Sequence, residues 1–120
     1  MLTPPKAVTM WLALEKTDTE NGCVRYIRGS HLEGIRPHGR TNTLGFSQGI
    51  TDFGEKDLAK EVALPSKPGD LLAHHSLTIH RADENRSSTR SRRALGFIYF
   101  AASCQEDIEA KEAYLKTLTK

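Results

Sequence analysis

The stretch Arg92–Ala102, RRALGFIYFAA, constrains this chain more than any other. After its first two residues it is apolar at odd and even positions alike. It is rich in aromatic and β-branched residues and free of proline, which reads as a strand covered on both faces and central in a sheet. The rest of the chain agrees with a β-rich domain. Ala7–Leu14 reads as a strand with Val8, Met10, Leu12 and Leu14 on one face and Ala7, Thr9, Trp11 and Ala13 on the other. Asn21-Gly22 is a strong turn signal, because both residue types tolerate a positive φ, and Cys23–Arg28 reads as the returning strand of a hairpin. Glu61–Leu64, Leu71–Ala73 and Leu77–His80 read as short strands, with a Pro68-Gly69-Asp70 turn among them. Gly29–Asp57 has no periodic pattern, and a connection that long in a small domain is usually functional.

Helical spacing returns only at the end. Ile108, Leu115 and Leu118 recur on one face of Gln105–Lys120, and Ser103 with Glu106 has capping-box spacing. The expected fold class is therefore mostly β, a sandwich or barrel, with a C-terminal helix. At 120 residues the chain suits one domain.

Seventeen Lys and Arg against fifteen Asp and Glu give a net charge of +2, too balanced to demand a nucleic-acid or membrane partner. The cluster Arg86, Arg90, Arg92 and Arg93 has no interleaved aromatic residue, which argues further against nucleic acid. No apolar run has the length of a membrane span. The opening residues lack a signal-peptide profile, so two free thiols, Cys23 and Cys104, in a reducing cytoplasm is the expected setting.

His80 stands at the junction of a β-run and a polar loop, where metal ligands and general bases are displayed. His74 and His75 alternate faces, so only one of them can point with His80. His31-Leu32-Glu33 together with His80 offers two histidines and a carboxylate, the ligand types of a facial triad for Fe(II), at a loose spacing. Arg92 and Arg93 enter their strand on opposite faces, and the inward one would offer a guanidinium fork to a carboxylate or phosphate. Trp11, on the less apolar face of its strand, reads as core or as a wall for a ligand.

These stretches fall into one order. Asn21-Gly22-Cys23-Val24-Arg25-Tyr26-Ile27-Arg28-Gly29-Ser30-His31 resembles the N-G-C-L-x-x-x-P-G-S-H segment of the phytanoyl-CoA dioxygenase family. Ile35–His38, Gly49–Asp52, Lys67–Asp70, His80 with Asn85, and Arg92-Arg93-Ala94 match in register after it. The resemblance implies a double-stranded β-helix (a cupin-like jelly roll) over 1–104, followed by a helix over 105–120. It implies Fe(II) and 2-oxoglutarate as cofactors and a small-molecule substrate. Carried over, His80 matches the distal histidine ligand of the iron, Arg92 the arginine that grips the far carboxylate of 2-oxoglutarate, and Trp11 a tryptophan lining the cosubstrate pocket. The loop before Arg92 is one residue longer than usual, which leaves Arg90 and Arg93 open as alternatives. Ala82 stands where many members have serine.

The family's other two iron ligands come from an H-x-D step, and no H-x-D occurs in the 120 residues. His31-Leu32-Glu33 matches the G-S-H turn instead. The chain thus resembles the C-terminal part of a jelly-roll oxygenase with one iron ligand of three, inactive on its own. Its open strand edges and bare apolar face imply a homo-oligomer, a two-fold dimer. A non-catalytic dimeric half-barrel or small-anion-binding module is the alternative.

Overall fold

The computed structural model describes residues 2–3, 6–40 and 48–118. In chain order these form β1 (Leu2–Thr3), β2 (Ala7–Ala13), β3 (Val24–Ile27), a 3-10 turn (Ser30–Glu33), β4 (His38–Arg40), β5 (Gln48–Ile50) and α1 (Glu55–Lys60). Then follow β6 (Glu61–Leu64), β7 (Leu71–His75), β8 (His80–Ala82), β9 (Ala94–Phe100), β10 (Gln105–Glu106) and α2 (Ile108–Leu118).

Two antiparallel three-stranded sheets carry the architecture, one ordered β7-β2-β9 and the other β6-β3-β8. Small ribbons, β4-β5 and β1-β10, lie at the periphery. In the larger sheet Thr9 is opposite His74 and Ile98, and Trp11 is opposite Leu72 and Gly96. Residues opposite one another in a ladder share a face. Thr9, Trp11 and Ala13 therefore line one side together with Leu72 and His74 of β7 and with Ala94, Gly96 and Ile98 of β9. That side faces the second sheet, since His74 meets Tyr26 of β3 and His80 of β8. Among the described residues the buried apolar core is small: Ala7, Ala13, Cys23, Val24 and Ile27.

The strands Ala7–Ala13 and Glu61–Leu64 and the Gly69 turn (φ 91°) lie where expected, and the strand expected over Leu71–Ala73 runs on to His75. Five expectations change. Ala7–Leu14 and Cys23–Arg28 are not a hairpin, because β3 pairs with β6 and β8 in the other sheet. The connection crosses between sheets, pinned by a Thr17–Ser66 bridge and by Asn21, whose buried amide donates to the carbonyls of Lys16 (2.8 Å) and Ser91 (3.2 Å). Leu77–Ile79 is not strand. A turn closes from Thr78 N–H to the His75 carbonyl (2.9 Å), and His80 opens β8 instead of ending a strand.

The patternless Gly29–Asp57 segment holds a 3-10 turn, a small ribbon and the start of α1, while its residues 41–47 lie outside the described residues. Strand β9 is not central but at the edge of its sheet. Its apolar side chains are exposed, Ile98 and Tyr99 both at 60%. Finally, the terminal helix begins at Ile108, because Asp107, not Ser103, accepts from the Ala110 N–H (2.9 Å), and Gln105–Glu106 pairs with Leu2–Thr3.

Candidate functional site between the two sheets

The cleft between the sheets collects the polar side chains that the alternation turns inward. Tyr26 and His80 are register partners on β3 and β8, so their side chains share the inner face of the smaller sheet. His74 arrives from the other sheet. Its ring centroid lies 4.4 Å from that of His80 and 4.9 Å from that of Tyr26. The Tyr26 hydroxyl and His74 Nδ1 are 2.7 Å apart, a hydrogen bond. Burial, reinforced by the neighbouring His80, holds the His74 imidazole down to about 4, so it is neutral at pH 7. Burial also pushes the Tyr26 phenol up, so its proton stays on the hydroxyl.

His80 is exposed, and its Nδ1 donates to the Thr78 carbonyl at 2.9 Å. That bond fixes the tautomer and leaves the lone pair on Nε2, the atom a metal would take. The turn that carries His80 is itself tied down. Buried Ser30 donates from Oγ to the Ile27 carbonyl (2.8 Å) and accepts from the Ile79 N–H (2.8 Å).

The arginines separate cleanly. Arg93 is turned outward onto Glu15, with Nε and NH2 3.1 and 3.0 Å from Oε1. Arg90 is held by Asp18 at 3.0 Å. Arg92 has the inward parity of Ala94, makes no ion pair among the described residues, and donates from NH1 to the Gly22 carbonyl at 2.6 Å. Trp11 is half-buried on the same inner face, opposite Gly96, where a Cβ would meet nothing within 4 Å. His80, Arg92 and Trp11 thus all belong to the inner faces of the two sheets or the strand entry that continues one of them.

His31-Leu32-Glu33 does not join them. His31 lies 6.0 Å (ring centroids) from His75 on the far face of β7, and Glu33 is paired with Arg36 and Lys60. Among the described residues no group of three His, Cys, Asp or Glu could hold a metal ion. The residues present therefore do not complete a three-ligand iron site. Sequence reasoning anticipated that one of His74 and His75 would accompany His80, and it is His74. It missed Tyr26, whose only signal was an inward position on a strand not yet assigned to the second sheet.

Two facing antiparallel sheets with a histidine at a strand mouth and an inward arginine at the entry of the last long strand define a cupin-like, dioxygenase-type fold. The phytanoyl-CoA dioxygenase (PhyH) family matches residues 2–94, and the chain belongs to that family. It is 38% identical over 95 residues to a phytanoyl-CoA dioxygenase of Arabidopsis thaliana, covering 77% of this chain and 32% of the relative. The chain thus spans about a third of the length of the curated relatives it matches. EvdO2 of Micromonospora carbonacea var. aurantiaca, solved with 2-oxoglutarate, superposes with a TM-score of 0.70 at 26% identity, covering 84% of this chain and 40% of that one. The epimerase SnoN, solved with Fe3+, alpha-ketoglutarate and nogalamycin RO, superposes with a TM-score of 0.63 at 27% identity, covering 83% and 37%. No helix among the described residues is long and apolar enough to cross a membrane.

Proposed function

We propose that these residues form one wall of a non-haem Fe(II)/2-oxoglutarate-dependent dioxygenase site that hydroxylates a small organic or acyl substrate. In that reading His80 is an iron ligand, Arg92 grips the far carboxylate of 2-oxoglutarate, and Trp11 borders the cosubstrate. The observation that carries it is the pairing of a tautomer-fixed His80 with an inward Arg92 that has no carboxylate partner among the described residues. Family membership and the 2-oxoglutarate bound in EvdO2 support it. Fe(II) would supply dioxygen activation. This chain's own residues would orient the cosubstrate and hold one coordination position. Because the described residues offer one such ligand, we propose that alone they bind iron weakly and do not turn over.

Calorimetric titration with Mn(II) and 2-oxoglutarate tests the assignment. Arg92→Ala should weaken 2-oxoglutarate binding about 10- to 100-fold, the cost of a charge-assisted pair, with Arg90→Ala and Arg93→Ala near wild type. Equal losses at all three arginines would refute the Arg92 role. If 2-oxoglutarate and plain dicarboxylates bind alike without metal, the second reading gains: a non-catalytic module in which Arg92 holds a small anion.

We further propose a two-fold dimer as the state that covers β9. The accessible surface is 8450 Å², against about 6500 Å² for a monomer of this mass. The excess is more than twice the roughly 800 Å² that each partner gives to a stable interface. Antiparallel pairing of β9 with a second copy about Phe97 would set Ala94 against Phe100 and Gly96 against Ile98, small against large. We propose a reducing, cytoplasmic setting, in which Cys23 stays a buried thiol and Cys104 donates from Sγ to the Lys6 carbonyl at 3.1 Å.

A further inference from the structure

Although the described residues do not build a three-ligand iron site, they do bring two imidazoles together from different sheets. We propose that His74 and His80 form a two-histidine seat for a borderline divalent cation of the Cu(II), Ni(II) or Zn(II) type. His74 lies outside the ligand set that the family resemblance implies. The proposal shares with the preceding reading only the inward-turned His80 ring, and rests on it to that extent.

The geometry is that of two ligands to one ion. Rings bound through nitrogen at about 2.1 Å, with a nitrogen–metal–nitrogen angle of roughly 90–110°, have centroids about 4.5–5.2 Å apart. The His74 and His80 centroids are 4.4 Å apart, just short of the lower bound of that range, so a small outward shift of the exposed His80 ring brings them to it, and their planes are tilted by 40°, which is no offset stack. Each ring also has the support expected of a ligand. Ligating histidines give their other ring N–H to an oxygen acceptor, and here Nδ1 of His80 meets the Thr78 carbonyl while Nδ1 of His74 meets the Tyr26 hydroxyl. The Thr78 carbonyl can only accept, so Nε2 of His80 carries the free lone pair, and Nε2 of His74 does so in the tautomer whose Nδ1–H donates to the Tyr26 hydroxyl.

Neither ring is in an ion pair among the described residues, and exposed His80 gives an ion access from solvent. Two neutral imidazoles without a carboxylate select against hard cations such as Mg(II) and Ca(II), and within the first-row series favour Cu(II). The remaining coordination positions would take water or a small bidentate anion.

Cu(II) alone, titrated into the full chain, tests this. In the wild-type chain, substoichiometric Cu(II) should broaden the ring resonances of His74 and His80 before those of His31, His38 and His75. The reverse order overturns the proposal without any variant. By calorimetry, His74→Phe and His80→Ala should each weaken the first site by more than about tenfold, and Tyr26→Phe by about tenfold through the lost hydrogen bond that orients the His74 ring. His31→Ala should leave it unchanged. His74→Gln provides the comparison if the phenylalanine disturbs folding. Wild-type affinity in both His74 variants would overturn the proposal, and if His80→Ala still loses the ion, the iron-ligand reading of His80 survives alone. If neither histidine matters, both readings fall.

Discussion

Asn21 and Gly22 govern the crossing from one sheet to the other, and each does so for its own reason. The Asn21 side chain is fully buried and bonds the Asp18 N–H at 2.7 Å as well as the carbonyls of Lys16 and Ser91. Gly22 has φ 86°, and a Cβ there would lie 2.2 Å from the Asp83 carbonyl oxygen. Asn21→Ala should therefore cost about 1–3 kcal/mol from stranded polar groups. Gly22→Ala should cost at least about 2 kcal/mol, the left-handed penalty plus the collision. Urea unfolding midpoints check both, with Gly54→Ala, which meets no neighbour, as the mild control.

Two carboxylates give the pH dependence. A side-chain bond from Arg36, then the Gly54 N–H, hold Asp57 at about 2, below its ordinary 3.8. The Arg93 N–H, then the Ser91 hydroxyl, hold Glu15 at about 2, below 4.5. Both groups bind fewer protons when folded. Their stabilisation is complete above about pH 4.5 and lost as pH falls toward 2. The melting temperature should drop across that window, and less steeply in Asp57→Asn.

At the scale of elements, strands bounded by proline or glycine were legible: β6 and β7 and the turn between them follow from alternation and from Gly69. What misled was pairing. The Asn21-Gly22 signal correctly marks a turn, yet nothing local says that the strands on either side join different sheets. Leu77-Thr78-Ile79 has strand composition, but the His75–Thr78 turn and the Ser30 hydroxyl take its backbone groups. Alternation made it legible that one of Arg92 and Arg93, and one of His74 and His75, would turn inward, but not which one of each pair. The inward turn of Tyr26 was not legible, since its face depends on tertiary pairing. The Ser30 clasp makes its own prediction. Ser30→Ala should speed amide exchange at Ile79 while leaving β2 and β9 amides protected, measured residue by residue by NMR.

For the whole molecule, the radius of gyration is 15.5 Å, against about 13.6 Å for a compact domain of this length. Leu71, Leu95, Phe97 and Tyr99 are exposed on the outer face of the larger sheet. Light scattering at micromolar concentration should give twice the chain mass, and Phe97→Lys should halve it by charging the centre of the β9 edge. A wild-type monomer would remove the dimer.

The ladder between β2 and β9 joins Ala7 to Phe100 and Ala13 to Ala94, strands far apart in sequence. During synthesis β2 can gain its β7 partner once His75 is made, but its longer ladder, to β9, waits for Phe100. One edge of β2 therefore stays open until Phe100 has been made, and slowing translation across the interval between His75 and Phe100 should raise the aggregated fraction of the product.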